Sequence, residues 1–218
     1  MVPVILLDAL QISFIIVVPI IVILVLFLIF YKPIKNKMYE KHFRDYYGKK
    51  VYKVALYEDF YLINNFIFSY EENRAMKIDH VLFGNKYIYL INDYYYNGSL
   101  SGQEKDGSLI LVSKNGKKSY VDNPLMANKT VAKRLSMITN FDKSMLISIA
   151  LVNSQCALEI EHKEKNNYLI QSDKIYKLVK AIESRDIAPI DGDQLQRAVK
   201  DMDKLNKKGY ARRAKRGY

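Results

Sequence analysis

Two carboxylates occur close together in strand-like surroundings, Asp79 within Ile78-Asp79-His80 and Asp93 within Asn92-Asp93-Tyr94. Carboxylate oxygens are what a magnesium-type ion requires, because it takes hard oxygen ligands in near-octahedral geometry and then orients water and offsets negative charge at a reacting phosphate. One carboxylate rarely suffices. Side chains along a strand alternate faces, so Asn92 and Tyr94 share one side while Asp93 points to the other, and only a bulge would bring Asp93 round. His80 is on the opposite face from Asp79, where a hydrogen-bonded strand histidine is the simple reading. Asp79 itself has a plain role available, as a polar partner for the backbone or for Lys77.

The surrounding chain predicts the elements that hold these residues. Lys77 to Gly102 reads as two apolar strands joined by a tight Gly84-Asn85-Lys86 turn, followed by a polar turn at Asn97-Gly98. A helix-compatible stretch, Lys35 to Val54, and a strand from Phe60 to Ser69 precede it. Ser108 to Ser113 and Lys118 to Val121 flank Asn115-Gly116, a strong hairpin signal. Asn123 can cap a helix with Pro124 in its first turn, and Val131, Leu135 and Ile138 follow at helical spacing. The expected core order is therefore α-β-β-β-α-β. Beyond it, Met145 to Val152 has the continuous apolar character of a buried strand, and Leu158 to Ile160 is expected to pair with Tyr168 to Ile170 across a charged turn. Two amphipathic helices follow, Asp173 to Ser184 and about Asp191 to Asn206.

This order, together with Gly48 and Val51, Ile63-Asn64-Asn65, Ile78-Asp79-His80-Val81, Tyr87 to Ile91, Asn97 to Gly102 and Asn123-Pro124-Leu125, resembles the nuclease-related domain (NERD) family. The resemblance covers roughly residues 45 to 140 and implies an α/β (α+β) domain of restriction-endonuclease-like fold. In the family pattern the Asp of Ile-Asp-His and the Glu of a Glu-x-Lys pair are metal ligands, and the Lys supports the attacking water. Here Asp79 matches, but Asn92 stands for the Glu and Tyr94 for the Lys. Lys49 beside Gly48 stands where the family usually has Glu, and Ala127 where a Gln commonly follows Asn-Pro. The expectation is a domain that keeps the fold and has lost cleavage. Asp79, Asn92 and Tyr94 are then vestigial positions, Asp79 is the sole metal candidate, and no cofactor is expected. The rival is an active magnesium-dependent nuclease using Asp79, Asp93 and a lysine from elsewhere; Lys86 and Lys105 lie in turns that the sequence does not bring to the site.

Ile12 to Phe30 carries no charge and is rich in Ile, Val, Leu and Phe. At about 1.5 Å per residue it approaches the roughly 30 Å hydrocarbon thickness of a bilayer, with Pro19 as a tolerated kink. Lys32, Lys35, Lys37, Lys41 and Arg44 crowd its C-terminal flank, so a single-pass protein in the cell membrane with its globular part in the cytoplasm is expected. The predicted division is an anchor over 1–34, a domain over 35–188, a helix over 189–206 and a basic tail over 207–218. Cys156, the lone cysteine, has apolar neighbours that suit a buried, inert thiol.

The net charge of +11 is uneven: Lys207, Lys208, Arg212, Arg213, Lys215 and Arg216 follow the last acid, Asp203. Such a run is drawn to polyanions, either anionic lipid or RNA and DNA, or serves as a solvated tail. Tyr94-Tyr95-Tyr96 reads either as an aromatic binding surface or as ordinary strand packing in a chain with 18 Tyr. Besides nucleic acid, the open partners are lipid and other membrane-associated proteins. A structural or assembly role in the membrane is therefore a further alternative.

Overall fold

The computed structural model describes residues 9–71, 74–139, 141–161 and 164–214. The chain falls into two compact units, one ending at Phe43 and the other beginning at Arg44. The first unit is α1 (Ala9–Lys41), whose side chains from Ile15 to Tyr31 are all exposed. Among the described residues no single helix is long and apolar enough to cross a membrane. Ile15–Tyr31 and Pro33–Lys41 meet that test only together, bent by about 40°. The expected span over Ile12 to Phe30 thus belongs to a longer helix whose bend falls before Pro33 and not at Pro19. Pro33 has no amide hydrogen to give the preceding turn, and its ring crowds that turn's carbonyl. The side chain of Ile12 lies outside the described residues.

In the second unit, α2 (Phe43–Glu58) is followed by β1 (Tyr61–Glu71), β2 (Arg74–Phe83) and β3 (Ile88–Asp93), then by β4 (Gly98–Gln103), β5 (Ser108–Ser113) and β6 (Lys118–Asp122). Next come α3 (Pro124–Thr139), β7 (Leu146–Val152), β8 (Ala157–Glu161), β9 (Asn167–Gln171), α4 (Ile175–Glu183) and α5 (Gly192–Ala214). The stretch from Lys35 to Val54, expected as one helix, divides at His42 between α1 and α2. The strands form two mixed sheets, β1-β2-β3-β7-β9 and β6-β5-β4-β8. In the larger sheet β1, β2 and β3 are antiparallel, while β7 runs parallel to both β3 and β9. Every residue of β3 and β7 is buried, as parallel central strands covered on both faces require.

Local chemistry explains the joints. The Gly84 amide donates to the Tyr87 carbonyl at 2.9 Å and closes the β2–β3 hairpin, and Gly116 takes a left-handed φ of 79° in the β5–β6 turn. The Leu125 amide donates to Asn123 Oδ1 at 3.0 Å, so Asn123 caps α3 with Pro124 behind it. Leu158 to Ile160 and Tyr168 to Ile170 do not pair with each other: β8 joins β4 in the small sheet and β9 joins β7 in the large one. The Gly- and Ser-rich β4 has little strand propensity of its own. It forms because it is held between β5 and β8, with Leu100 as its buried anchor.

α5 continues past Asn206 to Ala214 and lies along β1, the edge strand of the large sheet. Met202 and Ala198 enter the core beside Phe66 and Phe68. The Ile67 amide donates to Asn206 Oδ1 at 2.9 Å, and a β-carbon at Gly209 would overlap the Ile67 carbonyl. A side-chain acceptor and a helical glycine thus cover an edge that would otherwise offer a free amide to another chain. Asn206→Ala is expected to cost about 1–3 kcal/mol by orphaning that amide. The loss would be read in urea unfolding and as faster hydrogen exchange at Ile67.

Candidate functional site

The β2–β3 ladder pairs Phe83 with Ile88 at the turn and reaches His80 opposite Ile91. Beyond that point side chains replace the backbone ladder. Asn92 Oδ1 accepts from the Asp79 amide at 3.1 Å, and Asp79 Oδ2 accepts from the Asp93 amide at 3.0 Å. The other Asp79 oxygen, Oδ1, accepts from Lys77 Nζ at 2.7 Å. Asn92 Nδ2 donates to Asn128 Oδ1 of α3 at 2.8 Å, and the Tyr94 hydroxyl donates to the same oxygen at 3.4 Å. Asp79 and Asn92 therefore meet directly, and Tyr94 joins them through Asn128. Burial, with the nearby Asp79 carboxylate, pushes the Tyr94 hydroxyl up to about 12. The Tyr94 ring stacks on Tyr96, with centroids 6.2 Å apart, and both pack on the core of the small sheet.

Asp93 faces the other side of the sheet, as strand alternation requires. Its Oδ2 is 3.1 Å from His80 Nε2, and His80 Nδ1 is 2.7 Å from Asn64 Oδ1. α2 approaches here so closely that a β-carbon on Gly48 would come within 3.3 Å of the His80 ring, which accounts for a glycine at that turn of the helix. The Tyr47 hydroxyl donates to the Tyr94 carbonyl at 3.3 Å and ties α2 to the end of β3. Burial pushes the Asp93 carboxyl above its usual range, opposed by the hydrogen bond and charge of His80, with Asp79 adding a smaller upward push. Asp93 Oδ1 and Asn128 Nδ2 are buried without a hydrogen-bond partner among the described residues.

A cleft of about 680 Å³ opens at this end of the sheet. Arg44, Asp45, Lys49 and Tyr52 of α2, Asn64 and Asn65 of β1, Lys77, Asp79 and His80 of β2, and Asp93 line it. Arg44, Lys49 and Lys77 share the lining with Asp45, Asp79 and Asp93. Among the described residues no three His, Cys, Asp or Glu side chains are placed to hold a metal ion together.

None of the other sequence candidates among the described residues lines this cleft. Lys86 Nζ donates to the Arg185 carbonyl at 2.5 Å, at the far end of the β2–β3 hairpin. Lys207 and Lys208 are exposed on α5, with Lys207 Nζ 2.8 Å from Asp203 Oδ2. Arg212 and Arg213 fall in the last turns of that helix, and Lys215 and Arg216 lie outside the described residues. Cys156 is fully buried beside Leu100, and burial pushes its thiol up to about 11. Asn64 and Asn128 were not singled out in the sequence as site residues. The signal for Asn128 was present: it interrupts the buried stripe of α3 between Leu125 and Leu135, and a polar side chain there must find a buried partner.

The fold and the cleft define a mixed α/β protein whose central hairpin ends in a buried Asp-Asn-Asn-Tyr network. The nuclease-related domain (NERD) family matches residues 39–153, more than half of the chain, and the chain belongs to that family. No curated protein matches it. A crystal structure of a protein of unknown function, AF1548, is similar at 13% identity over 72% of this chain and 78% of that one, with a TM-score of 0.33.

Proposed function

We propose that this chain is a membrane-anchored NERD protein that binds nucleic acid without cleaving it. The order α2-β1-β2-β3-α3-β7, with β4 to β6 inserted before α3, is consistent with a restriction-endonuclease-like core. The observation that carries the reading is the closed network at the family's metal positions. Both Asp79 oxygens and both ends of the Asn92 carboxamide have partners within the protein, and among the described residues no three His, Cys, Asp or Glu side chains converge to hold an ion, which supports a site that takes up no magnesium. The apolar run of α1 with lysines after it supports an anchor whose domain faces the cytoplasm, and the net charge of +11 supports a polyanionic partner.

The test uses full-length protein in detergent with labelled DNA and RNA, with magnesium or with a chelator. Retention that weakens steeply with salt and leaves the strands intact is expected. Cleavage that requires magnesium and vanishes in Asp79→Ala overturns the reading. One set of observations favours a second reading, a rearranged active site: Lys77 Nζ lies on Asp79, and Asp93 lines the same cleft with an unpartnered oxygen. That reading requires Lys77→Ala and Asp93→Asn to abolish the same magnesium-dependent cleavage.

A further inference from the structure

α2 and α4 present a joint surface that lies round α2 from the cleft. Tyr46, Lys50, Lys53 and Tyr57 recur at intervals that keep them in one stripe, beside the buried face of Tyr47, Val51 and Val54. Tyr57 is 67% exposed, and its ring meets Tyr176 of α4 edge-on with centroids 6.1 Å apart. Lys180 Nζ is 5.9 Å from the Tyr176 ring centroid. Lys50 Nζ donates to Ser172 Oγ at 3.0 Å, which fixes α2 beside the start of α4. The acids that face this surface are Glu58, a hydrogen-bond partner of the Tyr176 hydroxyl, and Asp173, which acts on Lys50.

The chain itself limits what such a surface can meet. Only His42 separates the end of α1 from the start of α2, and α1 carries the apolar run from Ile15 to Tyr31. We propose that the stripe on α2, extended by Tyr176 and Lys180, rests on anionic phospholipid headgroups. This inference rests on the reading of α1 as an anchor. Tyrosine rings have an apolar body and a polar tip and collect at the headgroup level, while lysines close to a charged leaflet are drawn to its phosphates. The contact would hold the domain in one orientation and leave the cleft open for its ligand.

The chain contains no Trp, so Tyr57→Trp in the full-length protein gives a single fluorescent reporter. The protein is reconstituted into phosphatidylcholine vesicles with or without phosphatidylglycerol, and emission and quenching by lipids brominated near the headgroup are read after flotation. Expected are flotation in both lipids and a blue shift with roughly twofold quenching only in the anionic vesicles. Lys53→Glu with Lys180→Glu should remove that response without affecting flotation. Flotation with water-like, unquenched emission in both lipids overturns the headgroup contact alone. Failure to float overturns the anchor and the contact with it. A reporter that responds to single-stranded RNA on neutral vesicles, and not to anionic lipid, overturns the contact in favour of a nucleic-acid face.

Discussion

Asp79→Ala is expected to lower the thermal midpoint by roughly 5 °C, whereas Asp79→Asn should leave it nearly unchanged. Alanine removes the acceptor of the buried Asp93 amide and so exposes the network to the full penalty of an orphaned donor, about 1–3 kcal/mol. Asparagine keeps an oxygen at Oδ2 for that amide and gives up only the ion pair with Lys77. The Lys77 side chain is 39% exposed, and a half-solvated pair of this kind contributes at most about 1 kcal/mol. The contrast separates the two readings of the site. A structural Asp79 makes the variants differ in stability. An ion-binding Asp79 makes them alike in lost magnesium-dependent cleavage, because neither retains a carboxylate. Differential scanning fluorimetry beside the cleavage assay measures both: equal midpoints for the two variants would sink the structural role, and a magnesium-dependent cleavage lost equally in both would sink the binding-only reading.

How far the sequence carried this picture depended on whether a local signal governed the outcome. Gly84, Asn115-Gly116 and Asn123-Pro124 encode their joints in a few residues, and those joints occur where expected. The opposed faces of Asp79 and Asp93 followed from strand alternation alone. The partner of β8 could not be read in the same way. Leu158 to Ile160 has enough apolar character to be a strand but no signal for which sheet receives it, and a charged turn before Tyr168 made the nearer pairing attractive. The contact that decides it is with β4, whose Gly-Ser-Leu-Ser-Gly sequence barely registers as a strand. The same holds at the site. Asn92 and Tyr94 could be named as candidates from the sequence, but their shared partner Asn128 lies on a helix 36 residues further along from Asn92. Only the packing of α3 on the sheet brings it there.

The largest effect is expected where an acid is introduced at Asn92. Asn92→Glu places a carboxylate beside Asp79 in a position only 9% exposed, and an oxygen then faces Asn128 Oδ1 where an amide now donates. The cation already present, Lys77, is engaged by Asp79. An uncompensated buried charge of this kind costs about 3–5 kcal/mol, so the variant should be much less stable than the parent at neutral pH. Burial beside Asp79 raises the new carboxyl's folded pKa above its unfolded value, so the penalty is absent at acid pH and grows as pH rises through that interval. The gap to the parent therefore narrows on acidification. A divalent cation would answer the same charge: magnesium at about 100 times its dissociation constant would return about 2.7 kcal/mol to the variant. Asn92 cannot supply that charge, so the parent should show no magnesium-dependent midpoint. Thermal melts of both proteins against magnesium and pH decide the matter. A parent stabilised by magnesium as strongly as the variant would mean that an ion already binds with Asn92 in place, and a closed, vestigial network could not account for it.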